Sequence, residues 1–235
     1  MTREAGVLNK KTAIGGAALG LLLSGCGGGF ADQSAQEITD AAAEDMKALS
    51  SVRVQGDIQA EGQEISLDMR ITTEGSCDGT ISVMGGTAEI RSTGDQTWFR
   101  PDEAFWQATA GGAAGQIMSL VGDKWVVMPP EQADVASFCD LDELLDEVEG
   151  GDDNDVTKGE TEEVDGEEAV IVEGETDEGD PVKAWVAVDG EHYILKMEVE
   201  QGDEPGTITF SEFDEELEVE APPEEEVIDL AQLAG

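Results

Sequence analysis

The chain has 235 residues, enough for one domain or at most two small ones. Its 55 acidic residues outnumber 12 basic residues, and the formal net charge is -43 at pH 7. A surface this negative repels DNA and RNA, so we expect no nucleic-acid partner. Exported proteins of organisms from saline habitats often carry such a charge. An organism whose exported proteins are acidic for another reason would show the same charge. The charge therefore indicates habitat more than function.

The first 25 residues have the pattern of a secretory signal. Arg3, Lys10 and Lys11 precede the uncharged stretch Thr12–Leu23, which is too short to span a bilayer. The residues that follow Leu23, Ser-Gly-Cys, complete a sequence that resembles a bacterial lipobox. In that signal the cysteine, here Cys26, receives a diacylglyceryl group and becomes the first residue. An ordinary signal peptide with a chance cysteine is the alternative. The prediction is an exported protein anchored by lipid to the outer face of the cell membrane.

Residues 26–34 are rich in glycine and are predicted to form a flexible tether. An amphipathic helix is predicted over Ala35–Leu49, because Ile38, Ala42 and Met46 recur at helical spacing. From Ser51 the apolar period changes to two and continues to Arg100, with a hairpin turn at Gly85-Gly86. This alternation predicts about five antiparallel strands with one buried face.

Helical spacing returns over 102–107, 115–121 and 131–149, with a short strand predicted over 123–127. The two-residue period then predicts strands near 155–163, 168–174, 182–189, 193–201 and 206–212. The acidic tail, 215–235, is predicted to be mobile unless Val227 and Ile228 dock. The fold class is therefore α+β: a single strongly curved antiparallel sheet of about ten or eleven strands, with helices covering its concave face, over residues 35–214.

Two cysteines remain once Cys26 is assigned to lipid. Cys77 and Cys139 are an even pair in a chain predicted to be exported to an oxidising compartment. A Cys77–Cys139 disulfide is the natural prediction.

Short segments spread over the whole mature chain carry a resemblance to a known family. Together with Leu23-Ser24-Gly25-Cys26 they are Ser51–Gly56, Cys77–Ile81, Ala104–Trp106, Lys124–Val126 and Ala184–Val186. In these segments the chain is similar to the actinobacterial lipoproteins related to mycobacterial LppX and LprG, which share the half-barrel shape of the periplasmic carrier LolA. The resemblance implies a hydrophobic cavity between sheet and helices that holds the acyl chains of lipids or glycolipids.

Inward-facing apolar residues of the strands and the middle helices are the candidate ligand contacts. Several are medium-sized and some are methionine, which suits a pliable apolar site. The same pattern is equally typical of a packed core, and the sequence leaves the two open. From the strands the candidates are Val54, Ile58, Leu67, Met69, Ile71, Ile81, Val83, Ile90, Met197 and Phe210, with Leu195 and Ile208 on the same predicted face. From the helices they are Phe105, Trp106, Ile117, Met118, Leu120 and Val121.

Residues for catalysis or metal binding form no convincing pattern. His192 is the only histidine, and its surroundings predict a surface residue. The acidic segment 152–155 lacks the central glycine of an EF-hand loop, since Thr157 occupies that place. We therefore expect that the protein is not an enzyme and that it binds no cofactor and no metal ion.

Two functions remain from the sequence. The first is an envelope lipoprotein that binds and carries lipid or glycolipid cargo at the membrane and works with an envelope transporter. The second is an accessory lipoprotein with a filled core that docks on a transporter or sensor. An enclosed apolar space favours the first function, and a packed interior favours the second.

Overall fold

In the part of the chain that the structure describes, twelve strands form one sheet, and helices cover one of its faces. The structure is a computed structural model, and it describes residues 29–60, 62–127, 139–149, 156–176, 179–202 and 204–229. The predicted signal, Cys26, the start of the predicted 131–149 helix and the acidic segment 152–155 lie outside the described residues. None of the helices in the described ranges is long and apolar enough to cross a membrane.

The strands follow one another in the sheet almost as they do in the chain. The order is β12-β6-β5-β4-β3-β2-β1-β11-β10-β9-β8-β7, and every pair is antiparallel except β12 with β6. The strands are β1 (Ser51–Ala60), β2 (Gln63–Thr72), β3 (Ser76–Val83), β4 (Gly86–Thr93), β5 (Thr97–Pro101), β6 (Trp125–Val127), β7 (Thr157–Val164), β8 (Glu167–Glu175), β9 (Pro181–Ala187), β10 (Ile194–Val199), β11 (Gly206–Ser211) and β12 (Val227–Ile228).

Three of the four α-helices in the described ranges begin at a side chain that bonds one of their first backbone N–H groups. The four helices are α1 (Ala35–Lys47), α2 (Glu103–Ala110), α3 (Ala114–Val121) and α4 (Leu141–Glu149). Ser34 and Glu37 form a capping box at α1, and the Asp102 carboxylate accepts a hydrogen bond from the Phe105 N–H at α2. The Asp140 carboxylate does the same for the Glu143 N–H at α4, and α3 has no such side chain.

The predicted strong curvature of the sheet is not found. The sheet is open, its edge strands β12 and β7 are not paired with each other, and it is not strongly curled. The helices are spread along one face, so each covers its own part of the sheet: α2 lies on β3 and β4, and α1 lies on β7 and β8. Because separate helices cover the apolar face, the sheet does not need to curl to bury it. It also has one more strand than the prediction allows.

A β-bulge in β10 moves one predicted residue to the other face. Ile194 pairs with Val186 but Lys196 pairs with Trp185, so Leu195 is an extra residue on β10. Leu195 is buried with Trp185 on the face away from α1, whereas Met197 faces the helices. The two-residue period predicts both on one face, and the bulge separates them.

The main core lies under α2, α4 and the end of α1. Val54, Met69, Gly79 and Ile90 are aligned across strands β1–β4 in register. The predicted Cys77–Cys139 disulfide is confirmed, with the two Cα atoms 5.3 Å apart. It links β3 to the start of α4, and both cysteines are buried in the core. The disulfide therefore holds α4 against the sheet.

Both ends of the described chain are attached to the sheet. At the N-terminal end Phe30 stacks on His192 with a centroid distance of 3.5 Å, and Lys158 Nζ donates to the carbonyl oxygens of Ala31 and Gln33. At the other end Val227 and Ile228 form β12 beside β6, which confirms that they can dock. The last residues of the predicted tether thus make defined contacts with the domain.

Candidate functional site

A partly open apolar cleft lies between α1 and the sheet strands β8, β9 and β10. Its volume is about 500 Å³, which is in the usual range of ligand pockets, roughly 300–1,000 Å³. Helix α1 supplies one wall, α4 supplies Leu145, and the sheet supplies the floor. The apolar lining residues are Ala42, Ala43, Met46, Leu145, Val156, Val172, Gly174, Val182, Ala184, Val186, Ile194 and Met197.

Small side chains on the floor keep this cleft open. Val172 and Ala184 are paired across β8 and β9, and Gly174 and Val182 are the next pair on the same face. A Cβ atom on Gly174 would meet only the methyl groups of Val156 and Val182, at 3.5 and 3.9 Å. The floor therefore has room that larger residues at these positions would fill.

A second cleft of about 280 Å³ continues along the same face of the sheet. Ile58, Ile208 and Val199 line it, and Leu144 of α4 lies beside it. Met197 lines both clefts, and the adjacent residues Leu144 and Leu145 each line one of them. Helix α4 and Met197 thus stand at the boundary of two neighbouring apolar spaces.

The structure separates the predicted ligand contacts on the strands into two groups. Ile58, Ile208 and Met197 line the clefts. The others lie in or against the packed core of the central strands, so the structure does not bring them to the cleft. The fully buried residues are Val54, Met69, Ile71, Ile81, Ile90 and Phe210, and the partly buried ones are Leu67 and Val83.

The predicted lid residues lie on α2 and α3, away from the cleft lining. Phe105 packs edge-on against Phe99, with ring centroids 5.4 Å apart, and Trp106 contacts the same ring. The Trp106 Nε1 atom is buried without a hydrogen-bond partner. On α3, Val121 is buried, Ile117 and Met118 are half-buried, and Leu120 is 55% exposed. Their contact with a ligand stays a prediction.

Most of the cleft lining was missed by the sequence prediction. The floor residues lie on β8 and β9, whose alternation was recognised but whose apolar residues were not assigned to a site. Ala169, Val170, Ile171 and Val172 are buried in succession, which shows that this part of β8 is covered on both faces. A signal was available in the small residues Gly174 and Ala184, which sit on an otherwise apolar face.

Charged residues surround the opening of the clefts, which we call the cleft mouth. Asp40, Glu44 and Lys47 follow each other on one side of α1 at spacings of four and three, and all three are exposed. The turn between β8 and β9 adds Glu175 and Asp180, and the turn after β10 adds Glu204. Glu198 also lines the second cleft and is paired with Lys196, so the described residues place six carboxylates and one lysine around the two clefts.

Apolar contact is the main interaction that the lining of this cleft supplies. Among the described residues, no group of three or more histidine, cysteine or acidic side chains is placed to hold a metal ion. The ring of His192 lies flat against Phe30, and one ring nitrogen is 3.2 Å from the Ala187 carbonyl oxygen. The cleft offers apolar contact along its floor and charged groups at its opening.

Known structures place this architecture in context. The chain matches LprF from Mycobacterium bovis with a TM-score of 0.57 at 17% identity, over 80% of this chain and 96% of that chain. It matches the Mycobacterium tuberculosis lipoprotein LppX with a TM-score of 0.53 at 17% identity, over 79% of this chain and 98% of that chain. No known family profile matches the sequence. No curated protein matches it significantly. The chain therefore shares the fold of these mycobacterial proteins at low sequence identity.

Proposed function

We propose that this protein is an exported lipoprotein that binds the acyl chains of a lipid or glycolipid and carries them in the cell envelope. The observation that supports the proposal is the apolar cleft under α1, in a fold shared with LprF and the lipoprotein LppX. Lipid at Cys26 would hold the domain at the membrane from which cargo is taken.

Apolar burial is sufficient for such binding without covalent chemistry. Each buried methylene group contributes about 0.8 kcal/mol, so ten of them contribute about 8 kcal/mol. This free energy corresponds to a Kd of about 1 μM before the cost of ordering the chain is subtracted. The floor residues Val172, Ala184 and Met197 supply the contacts for an extended chain.

The alternative function, a docking protein with a filled core, has its own supporting observation. Met69, Ile90 and Val54 are packed under α2 and α4 with almost no exposed surface, so the centre of the sheet is filled. In the part of the chain that the structure describes, the two apolar clefts lie under α1 and α4. The two functions therefore differ in what they predict for this cleft. A carrier holds lipid in it, and a docking protein does not.

Native mass spectrometry on the chain from residue 27 onward tests the proposal. This part contains every residue that the structure describes, and an actinobacterial host supplies natural lipids. We expect a stoichiometric lipid that survives purification and is released by solvent extraction. A lipid-free mass that does not change after incubation with host lipids would favour the docking protein.

A blocked cleft gives the matched comparison. Gly174→Phe places a ring on the cleft floor where a Cβ atom makes only ordinary contacts. Glu173→Phe, one residue earlier on β8, places the same ring on the opposite face of the sheet, where Glu173 is exposed. We expect the first variant to lose the lipid and the second to keep it, with similar circular dichroism. Equal lipid content in both would show that the lipid lies elsewhere.

A further inference from the structure

We propose that the cleft mouth selects acyl lipids whose polar end is positively charged and disfavours lipids with an anionic headgroup. The inference rests on the proposed function, because it concerns the polar end of a molecule whose chain lies in the cleft. Its basis is the charge of the residues that line the opening.

The apolar and the charged residues of the cleft lie at different depths. Val172, Ala184 and Val186 form the floor, whereas Asp40 and Glu44 are exposed at the edge. An acyl chain on the floor therefore leaves its polar end among exposed side chains. No polar side chain needs to enter the apolar part, so the mouth alone decides which headgroup is accepted.

Helix α1 supplies two of the carboxylates in a fixed position. Asp40 and Glu44 are four residues apart, so they lie one turn apart on the same side of the helix. Gln36 Nε2 donates to Asp40 Oδ1 at 3.0 Å, which orients this carboxylate and leaves its charge uncompensated by that contact. Lys47 continues the same side of the helix toward its C-terminal end.

The β8–β9 turn supplies two more of the carboxylates, one for each cleft. Glu175 lines the first cleft and Asp180 lines the second. The turn is closed by hydrogen bonds between Thr176 and Asp180, from Thr176 N–H to the Asp180 carbonyl and from Asp180 N–H to Thr176 Oγ1. The backbone thus holds both acidic residues at the rim.

The negative charges at the cleft mouth together favour a positively charged headgroup. Six acidic residues and one lysine line the two clefts in the described residues, and one of the six, Glu198, forms an ion pair with Lys196. A unit charge about 7 Å from each carboxylate gains or loses roughly 0.6 kcal/mol per carboxylate in water, and less when salt screens it. A cationic amine at the mouth is therefore attracted, and a phosphate or sulfate is repelled.

The test uses three amphiphiles with the same hexadecyl chain on the chain from residue 27 onward. They are hexadecyltrimethylammonium, hexadecyl maltoside and hexadecyl sulfate, each below its critical micelle concentration. Isothermal titration calorimetry at 20 mM and 500 mM NaCl measures their Kd values, and the Gly174→Phe variant identifies the binding that occurs in the cleft. We expect the affinity to fall from the cationic to the uncharged to the anionic probe, with smaller differences at high salt.

Matched charge variants separate the mouth from the general acidity of the protein. The mouth variant carries Asp40→Asn, Glu44→Gln and Glu175→Gln, and the control carries Glu218→Gln, Glu220→Gln and Glu224→Gln on an exposed segment. Both lose three negative charges. At 20 mM NaCl we expect the mouth variant to bind the cationic probe about tenfold more weakly and the anionic probe about tenfold more tightly, and the control to change by less than about threefold.

Three results would overturn the inference, and they do not all have the same meaning. Equal shifts in the mouth and control variants, or equal affinity for the three probes, would show that the mouth does not select the headgroup while the cleft still binds the chain. Absence of cleft binding by uncharged hexadecyl maltoside would instead contradict the proposed function, and the inference with it.

Discussion

The two halves of the sheet are built from the same two-residue alternation but have different interiors. Under α2 and α4, Met69, Ile90 and Phe99 are buried and fill the space between sheet and helices. Under α1, Val172, Gly174 and Ala184 leave a cleft of about 500 Å³. The period of the apolar residues is the same in both halves, so the period determines which face is covered. Side-chain volume determines whether the covered face is a core or a site.

The largest expected effect is on the packed half, through the disulfide. Cys77 and Cys139 are 62 residues apart, and a cross-link of that length stabilises by about 4 kcal/mol in the chain-entropy description. Replacing both by alanine should lower Tm by about 10 °C for a domain of this size. Because the disulfide holds α4 and its Leu145, the cleft should also lose ligand affinity.

Thermal unfolding of the double variant checks this prediction. Wild-type protein in a reducing agent serves as the control, and its Tm should fall to that of the variant, whose own Tm should not respond. A Tm within about 2 °C of wild type would show that α4 is held by packing alone.

A matched glycine substitution compares the two halves directly. A Cβ atom on Gly79 in the packed half would lie 2.2 Å from the Asp68 carbonyl oxygen and 2.6 Å from the Met69 sulfur. Gly79→Ala should therefore destabilise by about 2 kcal/mol, because the neighbouring strand has to move. Gly174→Ala in the open half should leave stability unchanged or raise it by about 0.5 kcal/mol, since glycine is unfavourable in a strand.

Urea unfolding of both variants measures the difference. Gly174→Ala is the control for the chemical change itself, because both variants add one methyl group to a strand glycine on the same face. Equal destabilisation in the two halves would mean that the space under α1 is not available to side chains.

The N-terminal contact with the open half should have a smaller effect. Phe30 stacks on His192 and packs against the buried cluster beside the cleft, which contains Ile38, Ala42, Val170, Val172 and Val186. Phe30→Ala should cost about 1 kcal/mol and increase hydrogen exchange at residues 30–38, with no change in β2 and β3. Phe30→Tyr retains the ring and should behave as wild type. Faster exchange throughout the sheet would contradict a local role.

The smallest expected effect concerns a carboxylate where the two halves meet. The Ser50 backbone N–H donates to Asp214 Oδ1 at 2.7 Å, and the Ser50 hydroxyl and Tyr193 OH also donate to this carboxylate. These bonds, that of the Ser50 N–H first, lower the pKa of Asp214 below its ordinary value. A lowered folded-state pKa stabilises the protein above the ordinary pKa, about 3.9, and this stabilisation is lost as the pH falls.

Asp214→Asn should therefore be less stable than wild type at pH 7, by less than about 1 kcal/mol because the group is exposed. The difference should shrink as the pH falls below about 4. Urea unfolding at pH 7 and pH 3 measures it, with Glu216→Gln as a control that removes a nearby carboxylate without these hydrogen bonds. A difference that stays constant with pH would mean that the charge of Asp214 has no part in it.

The Tyr193 hydroxyl gives a pH dependence of stability at the alkaline end. Burial is the main cause that raises the pKa of Tyr193 to about 12 in the folded protein. Because the ordinary pKa is about 10, the stabilisation from the protonated hydroxyl is lost as the pH rises from about 10 to 12.

Most elements follow from local pattern, and a few do not. The helix predicted over Ala35–Leu49 is observed over Ala35–Lys47. Each of the five strands β7 to β11 begins and ends within two residues of its predicted bounds. The bulge at Leu195 could not be predicted, because the extra residue is defined only by pairing with Trp185 on β9. The open sheet without strong curvature was missed for a related reason, since curvature depends on where the helices lie on the sheet.

The sequence by itself determined the alternation of the strands, the ends of the helices and the cysteine pair, because these depend on residues close together in the chain or on a pair with no other partner. The tertiary structure decided the strand order, the shape of the sheet and the position of the cleft. The cleft exists because Gly174, Ala184 and Met197, from three strands, meet the side chains of α1, which lies more than a hundred residues earlier. The space left between them depends on the sum of their volumes and on the distance of the helix from the sheet, and no short segment of the chain contains that information.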